Sequence, residues 1–261
     1  MPELPEVEMV RRYVEGRCQG RTISELRVFD EGILDGVTKE SLVSSVQGRR
    51  IKAVKRHGKQ MFLELNDGVL TVHLGMTGDL LMLKGKERLP AHVRVLMILE
   101  DRTRLAYDDP RKFGAIGFAS STIDFITERK LGPDALQISN KEFVERAHSS
   151  RRAIKSVLLD QHVLAGVGNL YADEALYQAK VHPLTPANEL SGHILMEMRA
   201  KIRQVLKLSI NASTDFSKLP VGFLLRSRAV GSPCPLGHGR LQVIKVGGRT
   251  TIFCPSCQRT I

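Results

Sequence analysis

Residues 163–178 read VLAGVGNLYADEALYQ. Gly166 and Gly168, two residues apart, let the backbone turn tightly, and Asn169 stands where a following helix begins. Exposed amides at a helix start bind phosphate, and Arg151, Arg152 and Lys155 lie just upstream to add cationic charge. An ordinary capped connection between two helices accounts for the same residues, so the stretch fixes local structure before it fixes chemistry.

Outward from this turn the periodicity is helical. KEFVERAHSS and RRAIKSVLLDQ precede it and ELSGHILMEMRAKIRQVLKLSI follows, each with apolar residues recurring about every 3.6 positions. These segments place a helical domain at residues 135–225. Its upstream boundary falls in TERKLGPDALQIS, where Gly132-Pro133 breaks any helix. Before that boundary the period changes to two. RTISELRVF, RRIKAVKR, QMFLELNDG, VLTVHLGMTG, VRVLMILED, RLAYDD and AIGFAS predict short antiparallel strands in a β-sandwich over residues 1–125, led by one helix at about 3–16.

The last segment, 230–261, carries three of the four cysteines. Cys234 and His238 in CPLGH, with Cys254 and Cys257 in CPSC, flank an apparent hairpin, GRLQVIKVGGRTTIF. Three thiolates and one imidazole are a tetrahedral zinc set with no position left open, which implies one structural zinc ion. Cys18, alone in the N-terminal part, reads as a small buried apolar residue.

Charge narrows the partner. The 261 residues carry 39 Lys+Arg against 28 Asp+Glu, a formal charge of +11 and a pI near 9.7, which suits a polyanion. Aromatics make up only 5% and Trp is absent, which favours duplex over single-strand stacking. The N-terminus lacks the pattern of a secretory signal and no apolar run reaches membrane-span length, so a cytoplasmic protein with no membrane partner is expected; a monomer is the accompanying expectation.

MPELPEVEMV opens the chain. With Met1 removed, Pro2 presents a secondary amine able to attack an aldehyde-level carbon such as deoxyribose C1′ and form an iminium. Glu3 beside it can shuttle protons. The same prolines and acids also suit a helix start. Two loops complete the inventory: Met76 in HLGMTG, and Arg111 and Phe113 in DDPRKFG. Apolar residues on loops of a basic protein can wedge into a base stack, or else cap the sandwich core.

Seven ordered blocks, MPELPEVE, RHGKQMFLEL, HLGMTG, DPRKFG, LGPDAL, AIKSVLLDQ…GVGNLYADEAL…HP and GGRTTIFCPSCQ, resemble the bacterial formamidopyrimidine-DNA glycosylase family over the whole chain. The resemblance implies an α+β, multidomain fold: an N-terminal β-sandwich, a helix-two-turn-helix domain and a zinc finger. It implies base-excision repair of double-stranded DNA containing a damaged base or abasic site, by a bifunctional glycosylase and abasic-site lyase. Carried over by position, Pro2 would be the Schiff-base nucleophile and Glu3 the proton donor. Lys59 would support β-elimination and Arg249 δ-elimination. Asn169, Lys155, Arg151 and His92 would contact DNA, and Met76, Arg111 and Phe113 would fill the space of the everted nucleotide. Glu6 and Glu174 would be supporting acids. The chain departs from the family at three places: His238 where a second Cys pair is usual, Leu89-Pro90-Ala91-His92 in one strand, and a short segment, STDFSKLPVGFLLRSRAVGS, before the finger. That short segment keeps open an endonuclease VIII-type preference for oxidised pyrimidines beside oxidised purines. A non-catalytic binder of damaged DNA is the remaining alternative.

Overall fold

Helix α1, Leu4–Cys18, carries Pro5 in its first turn, where a missing N–H costs nothing. Val7, Val14 and Cys18 share its buried face and join the sandwich core. The helix begins and ends close to the expected bounds. The computed structural model describes residues 2–259; Met1, whose removal the Pro2 chemistry requires, lies outside the described residues.

Nine strands follow: β1 (Ile23–Val28), β2 (Leu34–Asp35), β3 (Ala53–His57), β4 (Gln60–Glu64), β5 (Val69–His73), β6 (Asp79–Leu83), β7 (Val93–Leu99), β8 (Arg104–Asp108) and β9 (Ala115–Ala119). They form a four-stranded sheet in the order β1-β7-β8-β6 and a five-stranded sheet in the order β2-β9-β5-β4-β3. Leu63, Leu70, Val72 and Ile116 from one sheet and Leu26, Val95, Met97 and Leu105 from the other share one core cluster, the α+β arrangement expected of a sandwich with a leading helix.

Several elements of this unit escape the periodicity, the two-residue β2 among them. Helix α2, Lys39–Val46, is short and rich in Ser and Val; it forms because Thr38 accepts a hydrogen bond from Ser41 N at 3.2 Å and because Leu42 and Val46 are buried. Strand β6 reads DLLML, an apolar run without alternation, and pairs with β8 from Asp79–Asp108 to Leu83–Arg104. Helix α3, Thr122–Glu128, closes the unit with Ser121 as its cap.

The second half contains α4 (Asn140–His148), α5 (Ile154–Leu159), α6 (Asn169–Gln178) and α7 (Gly192–Asn211). Leu195, Met198, Ile202, Val205, Leu206 and Ile210 keep three- and four-residue spacing along the buried face of α7, and Ser191 caps it. A final hairpin pairs β10 (Gln242–Val246) with β11 (Arg249–Phe253). Tyr177 of α6 packs with Leu224, Leu241, Ile252 and the Cys234 and Cys254 thiols, so the finger and the helices share a core. The chain divides into two compact units: Pro2 with Glu6–Lys130, and Glu3–Pro5 with the residues from Leu131 onward. No helix among the described residues is long and apolar enough to cross a membrane.

Candidate active site and metal centre

The turn that set the fold also holds an acid from the other end of the chain. Glu3 is buried, and its carboxylate accepts from Gly168 N at 2.7 Å, Leu170 N at 2.8 Å and Tyr171 N at 3.4 Å. These are donors that the start of α6 leaves without helical partners, and the helix dipole adds to their attraction for negative charge. Leu4 N donates to Gly166 O at 3.1 Å, fixing the strand of chain that delivers Glu3. A Cβ on Gly168 would lie 2.3 Å from Glu3 Cδ, so the second glycine of GVG exists to let the carboxylate approach. Pro2, the neighbour of this acid, is half-buried.

One turn further into α6, Asp173 is a buried hub. Its Oδ1 pairs with Lys155 Nζ at 2.5 Å, while Oδ2 accepts from Arg228 Nη2 at 2.5 Å, Arg228 Nε at 3.0 Å and Ile252 N at 3.0 Å. Lys155 differs from its expected exposure. Its side chain is 0% exposed and its ammonium also donates to Thr251 Oγ1 at 2.7 Å, so it faces Asp173 and the finger instead of solvent. Burial lowers its pKa and Asp173 opposes that effect. Asn169 Nδ2 donates to Thr250 O at 3.0 Å, which joins the start of α6 to β11. Arg249, at the head of that strand, is exposed, as is Arg151.

In the sandwich unit, Met76 is 39% and Phe113 55% exposed, so neither caps the core. Their loops are stitched together by Asp109, which is fully buried and accepts from Thr77 Oγ1 at 2.7 Å, Gly114 N at 2.8 Å and Arg111 N at 3.2 Å. The Arg111 guanidinium lies 4.8 Å from the centre of the Phe113 ring. His92 is exposed, with its backbone N bonded to Asp108 Oδ1 at 3.0 Å. Lys59 occupies the turn between β3 and β4 and is half-buried, near enough to His73 to help burial lower that imidazole's pKa. Glu6 is half-buried in the first turn of α1.

Asp109, Asp173 and Arg228 are absent from the sequence-based site. Asp109 was accessible: an Asp preceding Pro110 and Arg111 is a loop-forming residue that accepts from following amides. The other two carried no signal, because an Asp within NLYADEAL and an Arg in a polar loop read as solvated surface.

Glu174 is fully buried, accepting from Gln178 Nε2 and Leu225 N at 2.7 Å each. Burial raises its pKa from 4.5 to about 7. The unfolded chain releases this proton near the ordinary value while the folded chain retains it, so stability falls as pH rises from about 4.5 to about 7 and levels off above, by about 3 kcal/mol. Glu174→Gln keeps an acceptor for Leu225 N and cannot titrate. Urea unfolding midpoints between pH 5 and pH 8 should therefore decline less in the variant; parallel declines would refute the assignment.

At the finger, the sulfurs of Cys234, Cys254 and Cys257 lie within 4.8 Å of one another, with Cys234 and Cys257 3.5 Å apart. Three thiols that close can bind a metal. His238 stands at the edge of this cluster, its Nδ1 3.1 Å from Cys257 Sγ.

Comparison with known proteins matches two stretches of the chain. Residues 1–116 match the model of the formamidopyrimidine-DNA glycosylase N-terminal domain, and residues 131–219 that of the formamidopyrimidine-DNA glycosylase H2TH domain. The formamidopyrimidine-DNA glycosylase of Chloroflexus aurantiacus is 35% identical, with 100% of this chain and 99% of the relative covered. That of Herpetosiphon aurantiacus is 36% identical, with 99% and 100% covered. Among solved structures, the Lactococcus lactis formamidopyrimidine-DNA glycosylase bound non-covalently to DNA containing an AP site superposes with a TM-score of 0.90 at 31% identity, covering 99% of this chain and 100% of that one.

Proposed function

Since the chain belongs to the formamidopyrimidine-DNA glycosylase family, we propose that it is a base-excision-repair DNA glycosylase and abasic-site lyase that works through its own Pro2 and Glu3. The observation that carries the catalytic reading is the Glu3 carboxylate held by amides at the start of α6, one residue from Pro2. A carboxylate bonded by several N–H donors begins the reaction as a base. Pro2 nitrogen attacks C1′ of the damaged nucleoside, the N-glycosidic bond breaks and the base leaves with its electron pair. The new ammonium nitrogen gives its proton to Glu3, which passes it to O4′ as the C1′–O4′ bond opens and the iminium forms. Loss of a proton from C2′ then expels the 3′ phosphate, and a second elimination expels the 5′ phosphate. Lys59 is assigned to the first elimination and Arg249 to the second. The product is a one-nucleotide gap with phosphate ends.

Met76, Arg111 and Phe113 are assigned to the space that the everted nucleotide leaves, in keeping with their exposure on loops tied by Asp109. Arg151, Asn169, His92 and Arg249 are assigned to the duplex, bound in a salt-sensitive, largely sequence-independent way. Lys155 supports this interface by holding Asp173 and Thr251 and not by touching phosphate. Glu6 and Glu174 are supporting acids. Oxidised purines are the proposed substrate, and the setting is the cytoplasm, where the protein acts as a monomer on chromosomal DNA.

The thiol cluster fits one zinc ion. Tetrahedral zinc at about 2.3 Å from each sulfur sets sulfurs roughly 3.8 Å apart, close to the Cys234–Cys257 separation. Cys234, Cys254, Cys257 and His238 would fill its coordination, so the ion would close the finger and leave the chemistry to the protein. Elemental analysis should find one zinc per chain, lost together with duplex affinity in Cys254→Ser; a metal-free protein with undiminished affinity would refute the assignment.

Strand cleavage tests the function. Duplexes carrying one 8-oxoguanine, one formamidopyrimidine, one oxidised pyrimidine or one abasic site should be cut fastest at the oxidised purines and the abasic site, with borohydride capturing the enzyme on the DNA. Faster cleavage at the pyrimidine would overturn the substrate, and no capture on any duplex would overturn the enzyme.

A further inference from the structure

Arg56, in β3, has a side chain only 7% exposed, a depth at which guanidinium groups are found paired. Its Nε donates to Glu8 Oε2 at 3.3 Å and its Nη1 to Gly58 O at 2.9 Å. Glu8, on α1, also accepts from Arg11 Nε and Nη2 at 3.0 and 3.1 Å and from Arg12 Nε at 2.9 Å. Arg11 Nη1 donates in turn to Val54 O at 2.9 Å, so α1 is fastened to β3 on both sides of Lys55. One carboxylate thereby orients the guanidinium that reaches the turn bearing Lys59.

That turn has two backbone solutions. His57 pairs with Gln60, leaving Gly58 and Lys59 as a two-residue connection. Gly58 has φ +58°, and Lys59 is not among the residues with positive φ. A left-handed first position with an ordinary second one is the type II′ turn; the type I′ turn requires both to be left-handed. The two differ by a flip of the peptide between Gly58 and Lys59, and the Gly58 carbonyl oxygen is the atom that swings. Arg56 bonds that oxygen.

We propose that Arg56, oriented by Glu8, is a positioning residue that locks the Gly58–Lys59 peptide in one orientation and thereby aims Lys59 for elimination. The inference rests on the reading of Lys59 as the lysine that supports elimination. Glu8 takes the Nε of a guanidinium that has five N–H donors, and the shorter bond, from Nη1, goes to the one carbonyl that decides the turn.

The test is elimination on a duplex containing a preformed abasic site, with thermal unfolding recorded for each variant. Arg56→Met should lower kcat on the order of tenfold, with KM and borohydride capture within about twofold of wild type, because aim is lost while Pro2 is untouched. Arg56→Lys keeps the charge without the fork and should lose less; if Arg56→Met fails to fold, Arg56→Lys carries the comparison. In a Lys59→Met background neither substitution should cost more, since no ammonium remains to be aimed. Equal losses in both backgrounds, or no loss in either variant, would overturn the positioning role. Wild-type elimination by Lys59→Met alone would instead overturn the reading of Lys59, and the inference with it.

Discussion

Protein that retains Met1 is expected to lose borohydride capture of an abasic duplex, falling on the order of a thousandfold or more, the scale on which enzymes respond to loss of a nucleophile. The cause is electronic. With Met1 attached, the Pro2 nitrogen is an amide whose lone pair is delocalised into a carbonyl. Freed, it is an α-amino group with a reference pKa of roughly 8, so about a tenth is unprotonated at pH 7. A lysine near 10.4 offers about 250-fold less. Duplex affinity should remain within about twofold, because the assigned phosphate contacts do not involve the terminus. Capture that persists in the retained-Met1 form would move the nucleophile to another amine, and Lys59 would be the first to replace. The placement of Glu3 fits the expectation: its carboxylate is fixed by Gly168 N and Leu170 N and it is the next residue along the chain from Pro2.

How much of this was legible in the sequence depended on whether a feature is local. Alternation of apolar residues found β1, β3, β4, β5, β7, β8, β9 and the finger hairpin, because a half-buried strand writes its own pattern. It passed over β6, whose DLLML run lacks alternation, and α2, which depends on the Thr38 cap more than on its residues' helical preference. The site divides in the same way. Glu3 and the GVG turn were each recognisable as chemistry-bearing pieces, yet nothing in either reveals that the carboxylate bonds to amides 165 positions away. Met76 and Phe113 stood equally well as core caps or exposed loop residues until their surroundings were known. Depth was the quantity least available: Lys155 lies on a short amphipathic helix where a lysine is ordinarily solvated, and its burial follows only from Asp173 and Thr251 arriving from other elements.

That buried pair underlies the second large effect. Asp173→Ala should destabilise the helical unit by about 3–5 kcal/mol and lower its thermal midpoint by roughly 10 °C. Asp173 is the anionic partner of a fully buried Lys155 and also satisfies Arg228 and Ile252 N. Removing it leaves an ammonium in a dry site bonded to the Thr251 hydroxyl with the Glu3 carboxylate farther off, and such a poorly compensated charge costs more than the pair gained when it formed. Arg228 is partly exposed and can turn toward water, so Lys155 carries most of the penalty. The pH dependence identifies it. A lysine whose folded pKa is lowered binds fewer protons folded than unfolded, so stability rises with pH between the two values, and the deficit of Asp173→Ala should shrink as pH approaches the ordinary lysine range near 10.5. Lys155→Met provides the contrast: it deletes the charge and leaves Asp173 paired with Arg228 and Ile252 N, and should cost well under half as much. Because Ile252 lies on β11 behind Arg249, Asp173→Ala should also weaken duplex binding and reduce its salt dependence, even below its unfolding temperature. Equal costs for the two substitutions, at every pH, would mean that packing around α6 holds the finger and that the ion pair does not.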